Sequence, residues 1–232
     1  VDVRGNIPSF IRITDAKQHD VNALDEIAFE PGAYYLVDRG YLDFKRLYGI
    51  SAAGSFFVTR AKKNTLFRRR YSSPVDKALG LRSDQQGVLC GVKAPKQYPA
   101  PVRRVTYRDP KTDKRLCFLT NSMLIPAIDV CRLYKMRWQV ELFFKWIKQH
   151  LRIKRFLGTS QNAVHVQIWI AIATYTLVAI LIKELRLTKS MYDVLQFLSV
   201  SIFEKALIIE VFSETVPESK TENRLIQGEL LL

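Results

Sequence analysis

The sequence predicts an α/β fold: a mixed sheet flanked by helices, with a β-rich insertion ahead of one long amphipathic helix. Three observations carry that expectation. Apolar runs of strand character, Tyr34 to Val37, Ser55 to Ala61 and Arg115 to Thr120, are interspersed with helical patterns. Between the second and third of them, short apolar pieces such as Gly87 to Val92 and Arg103 to Tyr107 are parted by Pro, Gly and Asp turns. Finally, the chain from Pro126 to Leu151 opens on a residue suited to a helix start and meets no further Gly or Pro until Gly158.

In chain order, Val1 to Val3 and Ile7 to Thr14 read as a hairpin about Gly5-Asn6. Asp20 is placed to cap a short helix carrying Val21, Leu24, Ile27 and Ala28 on one side, and Pro31-Gly32 ends it. The Tyr34 strand then runs into Asp38, and Arg39-Gly40 turns the chain outward. An acid at the carboxyl end of a buried strand is where open α/β sheets place ligands. The same position suits a cap on a following helix, expected here over Tyr41 to Leu47. Ser55 to Ala61 is the next strand, and Lys62 to Lys114 makes the β-rich insertion. Arg68-Arg69-Arg70 is its densest cation run, a solvated face or a phosphate contact. Arg115 to Thr120 returns the chain to the sheet just before the long helix.

Wound at about 100° per residue, Tyr134, Arg137, Glu141 and Lys148 share an arc of roughly 60° over about 21 Å of that helix. Leu133, Met136, Val140, Phe143, Phe144, Ile147 and Leu151 gather on the other side, as core-facing residues do. Glu141 is the only acid among Arg132, Lys135, Arg137, Lys145, Lys148, Arg152, Lys154 and Arg155. A single carboxylate in a cationic strip suits a phosphodiester: cations hold phosphates, and the carboxylate holds a divalent metal beside them. A surface helix whose Glu pairs with Arg137 or Lys145 has the same spacing.

The formal charge of +14 is unevenly spread. Arg60 to Arg115 holds 16 basic and 4 acidic residues and Arg132 to Arg155 holds 8 and 1, while the remainder is net acidic. Two segments therefore supply the whole excess, the footprint of a polyanion partner. Phe67, Tyr71, Tyr98 and Tyr107 interleave with the charge, to stack on bases or to pack under a small sheet. Cys90, Cys117 and Cys131, odd in number and widely spaced, read as reduced intracellular thiols.

Val164 to Ile182 carries no charge over 19 residues, long enough for a membrane span. His165, Gln167, Thr174 and Thr176 dilute it, Trp169 lies inside it, and basic residues flank both ends, so a buried helix backing the sheet is expected, and no membrane partner. Met191 to Val200 reads as a further short helix, and Glu214 to Glu229 as a loose polar tail. The first residues mix acid and base and lack the apolar core of a signal peptide. The divisions expected are 1–59, the basic insertion 60–115, the return strand and Glu-bearing helix 116–160, carboxy-terminal helices 161–212 and the tail 213–232.

At these residues the chain resembles a known family. Tyr134, Arg137, Glu141 and Lys148 fill Y-x2-R-x3-E-x6-K, the YREK signature of one group of DDE insertion-sequence transposases, and DRGYLDF at Asp38 and ELFFKWIKQHLRIK at Glu141 look like its flanking strings. The resemblance runs from about Arg4 to Phe203 and implies an RNase H-like catalytic domain, into which the insertion reaches out to hold DNA. It implies Asp38 and Glu141 as second and third acids of a triad binding two Mg²⁺ or Mn²⁺ ions for strand cleavage and transfer. It further implies Arg137 and Lys148 on phosphates of the transposon end, Tyr134 positioning the strand, and a homodimer on paired ends in the cytoplasm at the nucleoid; Lys145 with Arg68, Arg69 and Arg70, as members of the two basic segments, are expected as added DNA contacts. Asp2 and Asp15, the nearest acids to where the family's first acid stands, match no catalytic position. The chain is accordingly expected to be the carboxy-terminal portion of a transposase lacking that acid and inactive alone, with a non-catalytic DNA-binding remnant, acting as inhibitor or plain polyanion binder, as the alternative.

Overall fold

A computed structural model describes residues 2, 7–11, 13, 20–151 and 156–201. Of the amino-terminal hairpin only a bridge remains within them, from Asp2 to Ile7. Asp15, the cations at 152–155 and the tail 213–232 lie outside the described residues. The chain forms two compact units, 1–168 and 169–232.

The first unit is built on a six-stranded mixed sheet. Its strands are β1 (Tyr34–Val37), β2 (Phe56–Arg60), β3 (Phe67–Ser73), β4 (Leu81–Leu89), β5 (Val102–Arg108) and β6 (Arg115–Thr120), in the spatial order β1-β2-β6-β5-β4-β3. Only β1 and β2 are parallel, with Tyr34 opposite Phe56 and Val37 opposite Thr59. A parallel pair needs a crossover, and α1 (Phe44–Ala52) supplies it. Every other pairing is antiparallel. The basic segment thus contributes β3, β4 and β5 to the same sheet, joined to β2 through β6.

Alternation along the central strands divides the core in two. Phe57 and Leu119 point to one face, where Leu47 and Ile50 of α1, Tyr98 beyond the short helix α2 (Ala94–Gln97), Leu89 and Val102 complete a buried cluster. Val58 and Phe118 point to the other, with Leu81, Val105 and Tyr107. There they meet Val130 and Cys131 of α3 (Ala127–Met136). Covered on both faces, β2 and β6 have the near-continuous apolar character of buried strands. Burial among these groups pushes the Cys131 thiol up to about 12.

The expected single helix from Pro126 to Leu151 is in fact two. α3 ends at Met136 and α4 (Trp138–His150) begins beyond Arg137. Arg137 N–H donates to the Tyr134 carbonyl (3.2 Å) and Val140 N–H to the Arg137 carbonyl (3.1 Å), the three-residue bonds of a tightened turn. Such a turn advances the chain by more than 100° per residue, so the apolar stripe slips. Phe143 and Ile147 are buried, but Phe144, expected inside, is 53 % exposed.

Two further expectations are corrected. The segment from Asp20 is a 3₁₀ helix ending at Glu26. The helix after Asp38 starts at Phe44, capped by Asp43, whose carboxylate accepts from Arg46 N–H at 3.0 Å; Asp38 caps only a 3₁₀ turn, Arg39–Tyr41.

The charge-free segment forms α5 (Gln161–Glu184), and Met191–Ser201 forms α6. From Trp169 onward these residues belong to the second unit. α5 is long and apolar enough to cross a membrane by length and composition, and only 28 % of its apolar window is buried. The expected burial is therefore partial: Ala171, Tyr175 and Val178 are covered, whereas Trp169, Ile170 and Leu177 are exposed.

Candidate active site

Asp38 stands at the carboxyl end of β1, directly after buried Val37. Its two carboxylate oxygens have separate tasks. Oδ1 accepts from Gly40 N–H at 2.8 Å, closing the turn that carries the chain away from the sheet. Oδ2 lies 3.1 Å from Nη1 of Arg137. Capping and charge pairing are thus both present, and the cap holds the carboxylate rotamer for the pair.

Glu141 occupies the first turn of α4, where a carboxylate is favoured by the helix dipole. Its Oε1 accepts from Nη2 of Arg137 at 2.8 Å. By itself this is an i,i+4 surface pair of small energetic weight. What sets it apart is that one guanidinium bridges Glu141 to Asp38, a residue from another element. The Arg137 side chain is 21 % exposed, against 38 % for Asp38 and 43 % for Glu141. Burial lowers the Arg137 pKa, but the Glu141 hydrogen bond and the Asp38 charge outweigh it and hold the group above its ordinary value.

Tyr134 is half-buried, its ring 4.9 Å from that of Phe118 and 5.7 Å from the Arg137 guanidinium. Burial, with the charge of Asp38 adding to it, pushes the Tyr134 hydroxyl above its usual range. The tyrosine therefore seats the arginine on the sheet. Lys145 and Lys148 are exposed farther along α4. The cationic strip is partly spent within the protein: Arg132 pairs with Asp129 at 2.9 Å, and Lys135 reaches Tyr107 at 3.3 Å and Asp109 at 3.4 Å.

Arg68, Arg69 and Arg70 are exposed on β3, the far edge strand. Five strand spacings separate β3 from β1, roughly 24 Å. They are not part of the Asp38 cluster. Of the four interleaved aromatics, Tyr98 and Tyr107 are buried and Phe67 lies under Arg104 at 4.3 Å; Tyr71 is 59 % exposed beside the arginines.

Arg103 entered the sequence reading only as one of the basic residues between Arg60 and Arg115 and as the start of a short apolar piece. It is buried, with Nε and Nη2 each 2.8 Å from the two oxygens of Asp84 on β4. Its Nη1 donates to the carbonyls of Ser122 (3.3 Å) and Ile125 (2.7 Å). That clamp fixes the segment leading into α3, and so the approach of Arg137 and Glu141 to the sheet. A signal was present: in VRRVTYR, Arg103 alternates with Val105 and Tyr107, which places it on the apolar face.

Among the described residues no cluster of three or more His, Cys, Asp or Glu side chains is placed to hold a metal. Asp38 and Glu141 do share one cation, the Arg137 guanidinium, and carboxylates of this kind are the oxygen donors that Mg²⁺ and Mn²⁺ take. Fold and site together define a mixed α/β domain in which an arginine joins an aspartate at the end of a parallel strand to a glutamate of a neighbouring helix. The chain belongs to the transposase DDE domain family, whose model matches residues 1–177. It is 37 % identical over 190 residues to a putative transposase of Sinorhizobium fredii, covering 81 % of this chain and 53 % of that protein. It is 27 % identical over 174 residues to a probable insertion-sequence transposase of Geobacillus stearothermophilus, covering 74 % and 45 %. To a putative insertion-sequence transposase of Synechocystis it is 23 % identical over 208 residues, covering 88 % and 58 %. The chain spans about half the length of the curated relatives it matches.

Proposed function

We propose that this chain acts on DNA as part of an insertion-sequence transposase, with Asp38 and Glu141 as two ligands of a catalytic divalent ion, Mg²⁺ or Mn²⁺. The observation that supports it best is the convergence of these carboxylates, from β1 and α4, on Arg137. A divalent ion supplies Lewis-acid activation of water or a 3′-hydroxyl and stabilises the leaving oxygen. The chain's own residues bind and orient. Lys148 and Lys145 take backbone phosphates of the transposon end alongside α4, Tyr134 keeps Arg137 at the strand end, and Arg68, Arg69 and Arg70 engage a second stretch of backbone. Two copies acting on paired ends, at the nucleoid in the cytoplasm and without a membrane, complete the reading.

A second reading, a DNA-binding chain without catalysis, draws on the two-acid count among the described residues. One set of measurements separates the two. Free Mn²⁺ is followed by electron paramagnetic resonance, and binding to a duplex carrying the element's own terminal repeat is followed against salt. The catalytic reading expects Mn²⁺ binding that both Asp38→Asn and Glu141→Gln abolish. Mn²⁺ binding indifferent to these substitutions would sink it, and DNA binding without any Mn²⁺ site would leave the second reading standing.

A further inference from the structure

We infer that Arg137 is the resident counter-cation of the Asp38–Glu141 pair, and that a divalent ion and a DNA phosphate act on it together: the ion takes over its carboxylates, and the freed guanidinium takes the phosphate. This rests on the reading of Asp38 and Glu141 as metal ligands. It assigns Arg137 two successive partners where the signature alone implies one.

Three observations carry it. First, the guanidinium uses Nη1 and Nη2 on carboxylates of two different elements, the two groups that would hold the ion. A divalent ion and a guanidinium repel, so both cannot sit between the same oxygens in a partly buried site. Second, Nε of Arg137 is buried without a hydrogen-bond partner. Buried donors are rarely left unpaired. A phosphate accepts two neighbouring guanidinium donors side by side, so a swing from the carboxylates to DNA can satisfy the donor that the present conformer strands. Third, Arg137 sits at the tightened turn between α3 and α4, with exposed Lys145 and Lys148 farther along the same helix. A phosphate backbone drawn to those lysines passes the arginine.

If one side chain is released by the ion and captured by the phosphate, each ligand strengthens the other's binding by the same factor. The test measures Mn²⁺ binding to the full chain by electron paramagnetic resonance, with and without a duplex, subtracting the manganese held by the duplex alone. Without DNA, Arg137→Gln removes the competitor, and Mn²⁺ is expected to bind about fivefold or more tightly than to the unaltered chain. With DNA, the unaltered chain gains affinity for Mn²⁺ and Arg137→Gln does not. Arg137→Lys keeps the charge on a point cation unable to bridge both carboxylates, and falls between them; its thermal unfolding and that of Arg137→Gln report whether the fold is kept.

Equal or weaker Mn²⁺ binding by a folded Arg137→Gln or Arg137→Lys chain overturns the inference, and so does a DNA effect that Arg137→Gln leaves intact. Binding that is lost in Glu141→Gln yet equal in Arg137→Gln defeats the exchange while sparing the metal reading. Absence of Mn²⁺ binding from every form defeats both.

Discussion

The two edges of the sheet use the same residue type in opposite ways. At β1, Arg137 is drawn inward, with both terminal nitrogens committed to carboxylates. At β3, Arg68, Arg69 and Arg70 stand in solvent on an edge strand whose burial pattern is exposed throughout its middle. Between them, Arg103 is sealed in the core against Asp84. Formal charge counts the five alike; accessibility separates charge that organises the protein from charge offered to a partner. The β3 set and the α4 lysines stand open to a polyanion, whereas the guanidinium at β1 already holds two carboxylates.

The largest effect expected from breaking this arrangement is at its middle. Arg103→Met leaves the Asp84 carboxylate buried and uncompensated and strips donors from the Ser122 and Ile125 carbonyls. Removing one partner of a buried pair costs about 3–5 kcal/mol. Urea unfolding is expected to show that loss, and Asp84→Leu added to Arg103→Met to recover part of it. A cost within about 0.5 kcal/mol, the range of ordinary surface substitutions, would mean the clamp does not hold the approach to α3.

A smaller effect is expected at the β3 edge. Gly87 pairs with Arg69, and a Cβ placed there would run into the Arg68 carbonyl and, at 2.8 Å, the Phe67 ring. Backbone cannot yield as a flexible side chain does, so Gly87→Ala must push β3 from β4 near the irregularity between Arg69 and Tyr71. Overpacking of this kind costs about 1–3 kcal/mol. Hydrogen exchange should show β3 amides losing protection while those of β1 and β2 keep theirs. Loss of protection at both edges together would show that the sheet opens as one body.

How far the sequence could be read follows the same division between local and tertiary causes. β2 and β6 were legible because strands buried on both faces need apolar residues at nearly every position, and the half-buried edge strand β1 because YYLV is itself an apolar run. Asp38 was legible as the acid that ends such a run. The helix break at Arg137 was not, since no Gly or Pro marks it. β3 was hidden because FRRRYSS has almost no apolar residue, and it is a strand through its ladder to β4. Phe144 was assigned to the core on an unbroken helical phase that the tightened turn does not keep.

The smallest effect on stability, and the sharpest on function, is expected from Arg68, Arg69 and Arg70 changed together to Ala. Each is exposed, so the fold should change by under about 0.5 kcal/mol per site. If all three meet phosphates, the slope of log affinity for duplex DNA against log salt should fall in magnitude by about 2.7. Mn²⁺ binding at Asp38 and Glu141, roughly 24 Å away, should not move. Cations on an edge strand have another use, since they discourage pairing with the edge of a second molecule. An unchanged salt slope with a variant that self-associates, read by light scattering, would assign the arginines to that protective role and leave the DNA footprint to α4. A reduced slope with a monodisperse variant would assign them to the phosphate backbone, and the contrast between the two edges would then be one between a site that must be opened and a surface that is open already.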